Sequence, residues 1–180
     1  EQREYAIDKL SKIPTERNVE VRLQGWEEFD EKVDRIVSIG AFEHFGFDRY
    51  PAFFKMAYDA LPDDGRMLLH NITGFDLREG QKLGLHMTFE DARFARFIMT
   101  EIFPGGRLPS IDIVQQSATK AGFAVGRIQP LQPHYAETLD RWATALEAHR
   151  SAAITIQSEE VYQRYMRYLT GCADRFRREI

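Results

Sequence analysis

The sequence is short of the features that mark an exported, membrane-bound, metal-dependent or nucleic-acid-binding chain. It holds a single cysteine, Cys172, which excludes an internal disulfide and with it the stapled scaffold of a small secreted domain. No run of about eighteen apolar residues is available to cross a bilayer, and no basic-then-apolar leader is seen, so no transmembrane segment and a cytoplasmic location are expected. A formal charge of −4 with both signs interspersed offers no basic stripe for a phosphate backbone to follow. Nucleic acid is therefore not an expected partner. The His and Cys residues show no paired metal-ligand spacing, and there is no Gly-rich phosphate loop or Gly-x-Ser-x-Gly elbow, so metal and serine-nucleophile chemistry drop out.

What the chain does have is core. Its 180 residues are 43% hydrophobic, enough to bury a sizeable interior in one domain. Residues 1–13 place Tyr5, Ile7, Leu10 and Ile13 at helical spacing, and Pro14 follows. Val19, Val21 and Leu23 alternate with Glu20 and Arg22 as a strand would, until Gly25 breaks the pattern. A second strand is expected over about 35–40. Asp48 is placed to cap a helix carrying Tyr50, Phe53, Phe54, Ala57 and Leu61, and Leu61–Gly65 reads as a turn. A third strand starts at Met67 and ends in polar residues at His70 and Asn71. Strand, helix and strand joined by short turns predict βαβ units and a mostly parallel sheet, an α/β fold.

From Asp76 to Ser110 that rhythm is interrupted by a helical insertion, opened by Thr88-Phe89-Glu90-Asp91 with capping-box chemistry. Phe89, Phe94, Phe97 and Phe103 give it more apolar surface than one buried stripe needs. Such a set serves either as ordinary core or as the wall of a tunnel for a long apolar substrate. A helix over 110–121, a strand over 123–129 and helices over about 135–149 and 158–170 complete the prediction.

Chemistry is expected at residues 33–45. The run from Ile36 to Ile39 is apolar and β-branched apart from Ser38, as in a central strand covered on both faces. It ends near Glu43 and His44, and ligands of open α/β sheets bind at the carboxyl ends of such strands. A helix-terminal turn whose Glu and His merely cap backbone groups fits the same spacing.

Long strings in fixed order narrow the reading further. Gly25-Trp26-Glu27, Val33 to Phe45, Glu101 to Gly106, Gln132 to Ala136 and Tyr165 to Cys172 closely resemble the mycobacterial mycolic acid methyltransferases, the cyclopropane mycolic acid synthases, over nearly the whole chain. The resemblance implies a class I S-adenosylmethionine-dependent methyltransferase with a Rossmann-like sheet and added helices forming an acyl channel. It implies methyl transfer to a cis double bond of a long acyl chain, a mycolic acid precursor on acyl carrier protein. A cyclopropane would form through a carbocation with bicarbonate as base. By the same resemblance Glu43, His70 and Tyr135 surround the bicarbonate, with Ile39 assisting through its backbone. Gln2, Trp26, Glu27 and Ile39 bind S-adenosylmethionine, and Phe45, Phe94, Phe97 and Phe103 line the channel. An indole can pack on a purine face and a carboxylate can accept from an amine, which suits Trp26 and Glu27 to adenine.

The pattern is also broken. The family's glycine-rich loop after its first strand, and the acidic residue after its second, have no counterpart here. Residues 1–180 are expected to be the carboxyl-terminal major part of one methyltransferase domain, without its first two strands and its last. A sheet with such unpaired edges is prone to self-association. Two other functions stay open: a noncatalytic acyl-binding or oligomerising chain without a cofactor loop, and a sister methyltransferase whose cation is captured by water to give a methyl-branched alcohol.

Overall fold

A computed structural model describes residues 1–75, 77–82, 84, 85 and 88–179, excluding the side chains of 77–79. Asp76, where the expected insertion opens, lies outside the described residues. The element order is α1 (Gln2–Ser11), β1 (Arg35–Ile39), α2 (Tyr50–Ala60), β2 (Arg66–His70), α3 (Leu77–Lys82), α4 (Phe89–Phe97), α5 (Ile111–Lys120), α6 (Gln132–Ala148), α7 (Arg150–Ile156) and α8 (Glu159–Arg177), with short 3-10 turns at Trp26–Glu28, Phe42–His44 and Phe47–Arg49. β1 and β2 are parallel, in register from Arg35 against Arg66 to Ile39 against His70. With α2 between them they form the βαβ unit that the sequence predicts.

Three expectations need correction. Residues 19–23 and 123–129 form no strand among the described residues, where the sheet consists of β1 and β2 alone. Alternating side chains are not sufficient for a strand, because each backbone N–H and C=O must also find a ladder partner. β1 is not covered on both faces: Val37 and Ile39 are 65% and 66% exposed, and Leu68 of β2 is 54% exposed. The helices pack on the opposite face, where Met67 and Leu69 meet the cluster of Phe42, Phe53, Phe54 and Ala118. Asp48 does not cap α2. It sits inside the Phe47–Arg49 turn, and the helix opens with Pro51 in its first turn, where a missing N–H costs nothing.

Three other helix starts are as the sequence dictates. Thr88 and Asp91 exchange hydrogen bonds, Thr88 Oγ1 accepting from the Asp91 N–H at 3.2 Å and Asp91 Oδ2 from the Thr88 N–H at 3.0 Å. Ser110 and Ser158 cap α5 and α8 by accepting from Ile113 and Val161. α6 and α8 pack along each other through Leu139, Ala143, Leu169 and Ala173, each running further than its apolar periodicity indicates.

α4 docks on α8 at a glycine. Gly171 faces the Phe94 ring, a methyl group there would overlap it, and the Arg175 guanidinium covers the same ring at 3.8 Å. Gly171→Ala should therefore be destabilising despite its better helix propensity. Overpacking costs about 1–3 kcal/mol, against about 1 kcal/mol gained from propensity. The melting temperature should fall by roughly 3 °C at this chain size, and a rise would show that α4 moves aside freely.

Candidate functional site

The carboxyl ends of β1 and β2 form the floor of the site. Past Ile39, Gly40 donates its N–H to the His70 carbonyl at 2.9 Å and takes a φ of 63°, a conformation that glycine adopts without steric cost. The chain then coils into the Phe42–His44 turn, which sends Phe42 into the core and leaves Glu43 8% exposed. A carboxylate so buried needs partners. Glu43 Oε1 accepts from the Ile72 N–H at 3.3 Å, while Oε2 is buried with no partner among the described residues. His70 Nδ1 is buried and unpartnered in the same way. The His70 ring lies nearly parallel to Tyr135 of α6, 5.8 Å between centroids and 20° between planes. The structure thus brings Ile39 and Glu43, His70, and Tyr135 together from three separate stretches of sequence.

Aromatic rings continue outward from this floor. Tyr135 meets Phe176 of α8 at 5.7 Å, and Phe103 lies between His44 at 6.2 Å and Tyr168 at 5.9 Å. Phe103 is aimed by a π-helical turn, Ile98–Ile102, which ends α4 with the Phe103 N–H donating to the Ile98 carbonyl at 2.8 Å. Such wide turns are frequent at functional sites. On α8, burial pushes the Cys172 thiol up to about 11 and the Tyr168 hydroxyl up to about 12. Both groups stay neutral there. Cys172 packs against the α6–α8 core beside Tyr168 and Phe176.

Trp26 stands apart from that floor, half-buried between Phe45 and Phe53 at 5.4 Å each, with the Arg49 guanidinium 5.3 Å from its ring. Arg49 also pairs with Glu27, so the two residues expected at adenine share one cation. Phe45 is tied to this cluster and to Phe42. Phe94 and Phe97 are buried in the contact of α4 with α8, 7% and 4% exposed. Gln2 is exposed on α1, and among the described residues no hydrogen bond, ion pair or ring contact links it to the others.

The buried, unpartnered Tyr50 hydroxyl and the Arg107 guanidinium over Phe47 have no signal in the sequence. Tyr50 occupies a helical apolar position and reads as core. Arg107 sits in a loop where only the glycines and prolines attract notice.

The backbone matches the crystal structure of mycolic acid cyclopropane synthase CmaA1 complexed with SAH and CTAB with a TM-score of 0.89 and 58% sequence identity, covering 98% of this chain and 62% of that one. The fold is that of the cyclopropane synthases. The family model described as mycolic acid cyclopropane synthetase matches residues 1–180, and the chain belongs to that family. It is 63% identical over 161 residues to cyclopropane mycolic acid synthase 1 of Mycobacterium tuberculosis, 89% of this chain and 56% of the relative. It is 56% identical over 176 residues to methoxy mycolic acid synthase MmaA3 of the same species, 98% of this chain and 60% of the relative. The chain thus spans 56% to 60% of the length of these two curated relatives. No helix among the described residues is long and apolar enough to cross a membrane.

Proposed function

We propose that the full-length protein is a methyltransferase of the class I Rossmann-like type that uses S-adenosylmethionine to convert a cis double bond of a long acyl chain into a cyclopropane. The acyl chain would be a mycolic acid precursor presented on acyl carrier protein. The observation that carries the reading is the pair of buried, unpartnered atoms, Glu43 Oε2 and His70 Nδ1, set at the strand ends beneath an aromatic wall in a chain of this family.

When bound, S-adenosylmethionine supplies an electrophilic methyl to the alkene, and bicarbonate accepts the proton whose C–H electron pair closes the ring. The residues present supply a hydrogen-bonding set for bicarbonate and one side of a cofactor pocket. Glu43 Oε2 would accept from a bicarbonate O–H, and the His70 imidazole and the Tyr135 hydroxyl would donate to its other oxygens. Which His70 nitrogen carries the proton is set by that contact. Burial excludes water, which would otherwise capture positive charge. Tyr135 and Phe103 offer ring faces that stabilise a cation without bonding to it, and Phe45, Phe94 and Phe97 complete the aromatic framework that we assign to the acyl channel. On the cofactor side, the Trp26 indole would pack on adenine, Glu27 would accept from its amine, and Ile39 and Gln2 would complete this part of the pocket.

The identity to a methoxy mycolic acid synthase supports a second reading, in which water captures the cation and the product is a methyl-branched alcohol. Incubation with S-adenosylmethionine and a cis-unsaturated acyl carrier should release SAH and yield a lipid without added hydroxyl. Recovery of unchanged substrate would contradict the assignment of methyl transfer. Trp26→Ala should weaken S-adenosylmethionine binding about tenfold, the loss of one aromatic packing partner worth about 1 kcal/mol or slightly more, while turnover at saturating cofactor is retained. Calorimetric titration checks this, and an unchanged Kd would remove the indole from the adenine pocket.

A further inference from the structure

Among the described residues, four buried side-chain atoms lack a hydrogen-bond partner, and three of them belong to Glu43, His70 and Tyr50. The first two are in the site already described. Tyr50 is the first residue of α2 and is 1% exposed. Its ring stacks on Phe42, 4.0 Å between centroids and 22° between planes, and Phe42 is the chain neighbour of Glu43. Phe47 lies 5.4 Å from Tyr50, and the Arg107 guanidinium sits 4.6 Å over the Phe47 ring.

Packing alone gives no reason for a hydroxyl here. The surrounding core of Phe42, Phe53 and Phe54 is apolar, and a buried O–H without a partner is costly where a phenyl ring of the same shape is not. Two influences act on the phenol besides its packing. Burial first, and the Glu43 charge second, push it upward, while Arg107 opposes them. The hydroxyl therefore keeps its proton and remains a donor, on a ring stacked against the residue that precedes Glu43. A group that satisfies both accepts from Tyr50 and donates to Glu43, and a protonated oxyanion does both.

We propose that the Tyr50 hydroxyl is a further hydrogen-bond donor to a small oxyanion held by Glu43 and His70, reaching it from α2 while Tyr135 reaches it from α6. This inference rests on the bicarbonate reading above and adds to it a residue that no sequence pattern singles out. It accounts for a tyrosine at a position where phenylalanine would pack as well.

Tyr50→Phe separates the roles, because it keeps the ring and removes only the donor. Titration of the full-length protein with carbon-13 bicarbonate, followed by the width of the carbon resonance, reads binding without turnover. Tyr50→Phe should weaken the bicarbonate Kd about tenfold, the loss of one hydrogen bond to an anion, with an equal or higher melting temperature. Tyr58→Phe, another α2 tyrosine whose ring meets Phe123, should bind as the parent does. Equal binding by Tyr50→Phe and the parent would overturn the role of Tyr50 and leave the anion site standing. A melting temperature lowered by several degrees in Tyr50→Phe would also overturn it, since the hydroxyl would then have a structural partner. No binding by the parent would overturn the bicarbonate reading itself, and the Tyr50 role with it.

Discussion

Glu43→Gln should lower turnover of the full-length protein about 100-fold or more while changing its affinity for S-adenosylmethionine by less than about twofold. The size follows from the loss typical when a positioned proton-handling group is disabled. The direction follows from geometry. Glutamine keeps an oxygen able to accept from the Ile72 N–H, which the carboxylate does at 3.3 Å, so the turn after β1 holds its shape. The second oxygen becomes an amide NH2, which donates where Oε2 accepts. An O–H on a bound anion then faces a donor, and the anion is held less well. Trp26 and Glu27 gather around Arg49 and make no hydrogen bond or ion pair to Glu43 among the described residues, so cofactor binding should change little. Steady-state rates alongside calorimetric S-adenosylmethionine titration check both halves. An unchanged methylation rate would remove Glu43 from the chemistry.

Asp91→Ala should produce the largest loss of stability, about 3 kcal/mol, at the point where α4 meets the end of α8. Asp91 is 3% exposed, and its carboxylate closes the capping box of α4 while meeting Arg175 at 3.1 Å and pairing with Arg178. Removing it leaves two guanidiniums without their shared anion, one of them mostly buried, and cutting one partner from a buried ion pair costs about 3–5 kcal/mol. Loss of the cap adds roughly another 1 kcal/mol, and relaxation of Arg178 toward Asp174, 3.1 Å away, returns part of the total. The melting temperature should fall by roughly 8 °C.

The pH dependence carries the same signature. Burial raises the Asp91 carboxyl, but the Thr88 backbone and hydroxyl and then Arg178 outweigh it and hold the group at about 2, below its ordinary 3.8. A depressed carboxylate stabilises the fold above its unfolded value, and that contribution is lost as pH falls through the folded one. The gap in melting temperature between parent and Asp91→Ala should therefore be constant above about pH 4 and shrink toward pH 2. A gap that held constant down to pH 2 would show that the charge of Asp91 contributes little.

The parts of the fold legible in the sequence are those fixed by local rules. Thr88, Ser110 and Ser158 open helices because their oxygens satisfy N–H groups three residues on. β1 and β2 are legible because a short β-branched or leucine-rich run bounded by turns has few other fates. The segments at 19–23 and 123–129 misled because alternation reports only which way side chains point. Pairing depends on a neighbour distant in sequence, and no local pattern encodes it.

The site divides in the same way. Glu43 and His70 stood out as polar residues closing apolar runs. The family resemblance implies that both act with Tyr135, and the packing of α6 over the strand ends sets Tyr135 against His70; the shared role of the three belongs to the proposed function. Tyr50 and Arg107 had no sequence signal. That the Tyr50 hydroxyl is buried without a partner among the described residues is a property of the folded structure alone. The same holds for Phe94, whose burial against Gly171 depends on a close approach of two helices.

Isotope retention is the measurement that tests the central claim most directly. The full-length protein would be given S-adenosylmethionine carrying a fully deuterated methyl group, together with a cis-unsaturated acyl carrier, and the released lipid weighed by mass spectrometry. Ring closure removes one hydrogen from the transferred methyl, so the account predicts a product that retains two of its three deuterons and gains no oxygen. A product retaining all three with an added hydroxyl would contradict cyclopropanation and establish the sister reaction, and a lipid free of deuterium would contradict methyl transfer altogether.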